Sequence, residues 1–223
     1  MKYPNASKGL QTIVIAEFIA LATLIYAVIV SILALPGVDA PESEPYASGV
    51  VILVMIAMFV AACVLEIIGI TGAGKDEPAF KVSLYAIIAL IFLTVLSAFF
   101  YENETAYLIF SIAGDVAYFF MVHYIIHGIM HLSEHLGRPD LSKNGKKIFT
   151  VIYIGIIFEV IVRIIEINYG QKQSEEIALP FDVVANILKT IEYFMFLIYI
   201  IKGNKLLKES KVEKNKDDKR KQK

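Results

Sequence analysis

Cysteine is almost missing from this chain: Cys63 stands alone among 223 residues, inside an apolar run. An intramolecular disulfide is therefore excluded, and so is a CxxC metal or redox site, which needs a second thiol. Histidine is equally confined. There are four, and all lie between His123 and His135. No H-E-x-x-H and no G-x-S-x-G occurs, and the glycine-rich stretch at 69–74 (GITGAG) closes an apolar block without the Lys-Ser/Thr of a phosphate-binding loop. Polar stretches are short throughout, so catalysis on a soluble substrate is not expected. The first apolar block is too long for a signal h-region and has no small-residue cleavage site directly after it, so it is expected to stay as a membrane span.

What the chain does have is apolar length. Hydrophobic residues make up 57% and mean hydropathy is +0.64, above the roughly half apolar usage of a soluble domain. The excess falls into six blocks, near 13–35, 50–71, 82–101, 106–130, 148–167 and 181–201. Each is close to the roughly 20 helical residues that cross a bilayer core. Backbone groups in lipid must bond internally, so helices are the expected form. The reading is an all-α, polytopic bundle of six transmembrane helices over 1–207. A charged cytoplasmic tail at 208–223 is expected to be disordered or to extend the last helix.

The breaks between blocks carry turn chemistry. They are Pro36-Gly37 with Pro41 and Pro45; Gly72, Gly74 and Pro78; Glu102-Asn103-Glu104; Gly137, Pro139 and Gly145; and Gly170 with Pro180. A faint internal repeat runs through the even-numbered blocks. Ile68-Gly69-Ile70, His127-Gly128-Ile129 and Lys202-Gly203-Asn204 close blocks two, four and six. This suggests three copies of a two-helix unit, an arrangement known in transporter folds.

Charge asymmetry sets the expected orientation. With the N-terminus cytoplasmic, every Lys and Arg except Arg163, Lys172 and Lys189 falls on the inner side. The outer loops then hold Asp39, Glu42, Glu44, Glu102, Glu104, Glu175, Glu176 and Asp182. Both termini are expected inside, and the lysine-rich inner face fits a bacterial plasma membrane. The expected partner is the lipid bilayer, with a small ion or solute and room for a homo-oligomer; nothing points to nucleic acid.

Two sets of polar residues inside the blocks are candidate sites, because intramembrane ionisable groups are costly and default to function. Asp115, Glu159, Arg163, Lys189 and Glu192 fall near the bilayer midplane. Glu159 and Arg163 share one helix face, and Lys189 and Glu192 another. The set is either an ion, proton or solute site or a salt-bridge network that fixes helix register. The second set lies nearer the cytoplasm: Glu17, Glu66, His123 and His127. Two imidazoles at i, i+4 can bind one divalent, zinc-like metal, with a carboxylate from another helix completing the set. His131 and His135 continue the stripe and are expected at the head-group zone.

Three functions follow as expectations. The first is binding, transport or sensing of a small ion or solute. The second is a non-catalytic accessory or scaffold whose ion pairs are structural. The third is an intramembrane metal-dependent enzyme, disfavoured because all histidines lie on one helix. The topology is directly testable. A reporter fused after Lys223 that works only in the cytoplasm is expected to be active, and one that works only outside the membrane is expected to be silent. The reverse pattern contradicts six spans with both ends inside.

Overall fold

The computed structural model describes residues 3–33 and 45–221, with side chains described except at 31–33, 45–48, 104, 163, 166–178, 182 and 211–221. The expected turn at Pro36-Gly37 and Pro41 and the acids Asp39, Glu42 and Glu44 lie outside the described residues. Within them the protein is all-helical: α1 (Pro4–Leu33), α2 (Pro45–Ala73), α3 (Ala79–Phe99), α4 (Glu104–His135) and α5 (Pro139–Lys221). Five helical stretches are long and apolar enough to cross a membrane: Pro4–Val30, Gly49–Ala73, Ala79–Phe99, Thr105–His135 and Leu179–Ser210. The fifth apolar block, 148–167, lies in the first part of α5 and contains Arg163 and Glu166, whose side chains are outside the described set.

α5 cannot be one rod. An 83-residue helix would be about 125 Å long and would set Glu159 and Lys189 about 45 Å apart. Instead they are paired at 2.5 Å. A Cβ on Gly155 would lie 3.9 Å from Leu188 Cβ, and one on Gly145 only 2.7 Å from Tyr199 Oη. The element therefore doubles back between 159 and 189, and two limbs, 139–165 and 179–210, run antiparallel side by side.

The ends are capped as the break residues suggest. Asn103, extended at φ −102° and ψ 96°, accepts the Ala106 amide and starts α4. α4 stops at Gly137, whose φ of +72° is the left-handed conformation a glycine adopts freely. There Arg138 N–H returns to Ser133 O at 2.9 Å, closing the last turn before Pro139 opens α5.

Helix pairs approach most closely at glycines. A Cβ on Gly9 would collide with the Gly69 carbonyl oxygen and lie 2.6 Å from the Ala73 amide nitrogen. One on Gly128 would lie 2.7 Å from the Phe80 ring, and one on Gly203 2.8 Å from Ile129 Cγ2. All three repeat glycines thus mark close helix contacts. Small residues at helix contacts are how helices pack where no hydrophobic force drives them together. The core, including Leu10, Ile13, Ile70, Phe80, Ile125, Ile129, Tyr199 and Ile200, is concentrated at this end. Large apolar residues such as Leu53, Phe92, Ile109, Ile157 and Ile187 are exposed on the outer faces, a surface suited to lipid and unsuited to water.

Gly9→Ala is expected to destabilise the purified protein by roughly 1–3 kcal/mol, because a methyl group has no room between two backbones. Gly49→Ala, with nothing within 4 Å of its Cβ position, is expected to be neutral or slightly stabilising. Thermal unfolding in detergent measures both; equal effects would refute the close α1–α2 contact.

Candidate functional site

One end of the bundle is tied by polar contacts between segments far apart in sequence. Asp76, in the turn after α2, accepts Asn5 Nδ2 at 2.9 Å and the Ala6 amide at 2.8 Å, capping the start of α1. Its neighbour Glu77 is buried, contacts the Ala79 amide at 3.3 Å and meets His131 Nδ1 at 2.6 Å. Ser142 Oγ donates to Glu134 at 2.6 Å, and Tyr3 Oη bonds His135 Nδ1 at 3.2 Å. Hydrogen bonds to charged groups are worth about 1.5–3 kcal/mol each. The outer half of the histidine stripe is thus spent on holding α1, the 74–78 turn and α4 together. His131, Glu134 and His135 also form H-x-x-E-H, an order used by one class of zinc hydrolase; here Glu134 bonds Ser142 and one nitrogen of His131 bonds Glu77.

About 12 Å further in, eight residues past Gly9 at 1.5 Å each, Glu17 is only 7% exposed. The close α1–α2 approach sets it within electrostatic reach of Glu66 on α2. Tyr193, on the second limb of α5, donates its hydroxyl to the Glu17 main-chain carbonyl at 3.0 Å and stands beside the Glu17 carboxyl. Glu66 Oε1 is buried with no hydrogen-bond partner among the described residues. Among the described residues neither carboxyl is in an ion pair.

Three members of the midplane set, Glu159, Lys189 and Glu192, are linked. Lys189 pairs with Glu159 across the two limbs of α5 and acts on Glu192 one turn along its own helix. Tyr118 on α4 lies in reach of Glu192, Tyr193, Glu17 and Glu66. Members of the two sets that are separate in the sequence thus lie within electrostatic reach of Tyr118 and Tyr193. Neither tyrosine stands out in the sequence, because a tyrosine inside an apolar block resembles any other aromatic core residue. Asp115 is half-buried on α4, three residues before Tyr118. Arg163's side chain lies outside the described residues.

His123 and His127 follow a different course. Their rings are 6.5 Å apart, and the His123 ring stacks on Phe149 of α5 at 4.4 Å. His123 Nδ1 is buried without a hydrogen-bond partner among the described residues. Glu17 and Glu66 lie within electrostatic reach of each other, as do His123 and His127. Among the described residues no group of three His, Cys, Asp or Glu is arranged to hold a metal ion.

Comparison with protein-family models, curated proteins and solved structures finds no match for the chain. Its class rests on its own features: an all-helical protein with five helices of membrane-crossing length and composition, compatible with a multi-pass membrane protein.

The Glu159–Lys189 pair gives a quantitative expectation. Lys189→Gln is expected to cost up to about 3 kcal/mol, the scale of an unpaired charge near the centre of a membrane helix. Glu159→Lys combined with Lys189→Glu is expected to recover most of that loss in detergent unfolding curves. A double variant no better than the single one would show that the pair does not hold the limbs.

Proposed function

We propose that this protein is a six-span membrane protein with both ends cytoplasmic, which binds a small cation, the proton foremost, at Glu17 and Glu66 for transport or sensing. The observation that carries this reading is that Glu17 is buried and Glu66 Oε1 is buried without a hydrogen-bond partner, with neither carboxyl in an ion pair among the described residues. Two carboxylates side by side in a low-dielectric interior repel each other, and removing them from water is costly. A shared proton or a bound cation relieves both penalties. Tyr193, Tyr118 and Glu192 extend the polar path from that pair towards Lys189 and Glu159, giving hydroxyls and carboxylates between which a proton can pass.

The six-span count is supported by the doubling back of α5, and by the meeting of residues 3–6, 74–78, 131–142 and 203–209 at one end. Lys75, Lys81, Arg138, Lys143, Lys202 and Lys205 belong to that end or flank it, so the positive-inside bias turns it to the cytoplasm.

A second reading has its own observation. The Glu159–Lys189 contact is a self-neutralised pair between adjacent limbs, the arrangement a non-catalytic accessory or scaffold protein would use to fix helix register.

Reconstitution separates the two. Liposomes holding the full chain and an internal pH dye are expected to show proton flux under an imposed gradient. Glu66→Gln is expected to lower that flux at least about tenfold, the factor that 1.4 kcal/mol represents. Wild-type flux no faster than in protein-free liposomes, under proton, sodium and potassium gradients alike, would leave the scaffold reading in place.

A further inference from the structure

At the end of the bundle where the bases gather, the start of α5 and the far end of its second limb enclose a cleft of about 330 Å³. Its polar walls are Arg138, Asp140 and Asn144 on one side and Lys202, Lys205 and Glu209 on the other. Three cations face two carboxylates, which leaves one positive charge in excess.

The pairings say where that excess sits. Arg138 grips Asp140 with Nε and Nη2, each at 3.2 Å. These hydrogen bonds hold the Asp140 carboxyl below its usual range, so it stays ionised and uses the charge of Arg138. Lys205 lies 3.9 Å from Glu209 one turn along the helix. That exposed pair is long and constrains the lysine little. Lys202 is exposed and has no ion pair among the described residues. The cleft also borders the first turn of α5, where Asp140 already supplies the negative charge and the Leu141 amide bonds Arg138 O at 3.2 Å, so the donors left for an anion are the lysines and Asn144. Asn144 adds a side-chain amide. Lysine heads and a side-chain amide donor facing one small cavity match the oxygens of a phosphate group.

We infer that this cleft binds a phosphate-bearing anion, held by Lys202 and Lys205 against the start of α5. The site is independent of the carboxyl pair inside the bundle. A phospholipid head group and free phosphate offer the same chemistry, and a binding experiment separates the two sources.

The full chain in detergent is titrated with phosphatidylglycerol, with phosphatidylcholine, and with inorganic phosphate against chloride at equal ionic strength. Bound lipid is counted by native mass spectrometry and phosphate binding by the shift in unfolding temperature. Phosphatidylglycerol or phosphate is expected to bind, and phosphatidylcholine to bind no more tightly than to the variants. Lys202→Gln is expected to weaken the preferred anion about 5-fold, and Lys202→Gln with Lys205→Gln about 25-fold, the scale of one favourable contact per lysine near an anionic surface. Preference for phosphatidylglycerol identifies a lipid head group, and response to phosphate alone identifies a soluble anion. Lys75→Gln, which removes an exposed base from the 74–78 turn, is expected to change nothing. The inference is overturned if neither anion binds, or if Lys75→Gln weakens binding as much as Lys202→Gln, since binding would then follow overall charge. All three lysines are exposed, so loss of folding does not confuse the comparison.

Discussion

The rest of the structure depends on how closely α1 and α2 approach. Gly9 and Gly69 leave no room for a side chain between the two backbones. Lipid tails are as apolar as leucine, so helices there gain little from hiding apolar surface, and close backbone contact becomes a main source of attraction. The contact also has a chemical effect. It sets α1 and α2 in the register that brings Glu17 and Glu66 together one to two turns deeper, with Tyr193 of α5 against the same backbone. Packing by the smallest residue thus sets two carboxyls within electrostatic reach of each other inside the bundle.

Two kinds of polar group are separated along the helices. At the basic end every carboxyl of the clasp has a defined partner: Asp76 with Asn5 and Ala6, Glu77 with His131, Glu134 with Ser142. These contacts join segments up to 71 residues apart and have the character of fasteners. Deeper in, Glu66 Oε1 is buried without a partner among the described residues. A buried acceptor left without a bond costs about 1–3 kcal/mol, and natural structures keep few of them. That cost is the physical ground for the proposal of a function at Glu66 and its neighbour Glu17, while the clasp carboxyls and Glu159–Lys189 hold segments together.

The elements were legible in the sequence because apolar length and break residues are local signals. The Asn103 cap, the left-handed Gly137 and the Pro139 start all lie where turn chemistry puts them. Even the weak repeat around Gly69, Gly128 and Gly203 had a physical cause, since each glycine meets another helix closely. The division of the histidine stripe was partly visible too. Its inner members sit among apolar and aromatic residues, while His131 and His135 reach polar partners. The partners were not visible. Glu77 lies 54 residues from His131, and nothing in either segment names the other. Tyr118 and Tyr193 gave no signal because their role comes from convergence of helices, which periodicity within one helix does not encode.

The central claim is that the Glu17–Glu66 pair holds a proton or cation. Infrared difference spectroscopy of the reconstituted protein reads this directly through the carbonyl stretch of a protonated carboxyl. The account predicts a protonated-carboxyl band that changes with pH or cation and disappears in Glu66→Gln. The same spectrum in wild type and Glu66→Gln, at every pH and cation, would contradict it.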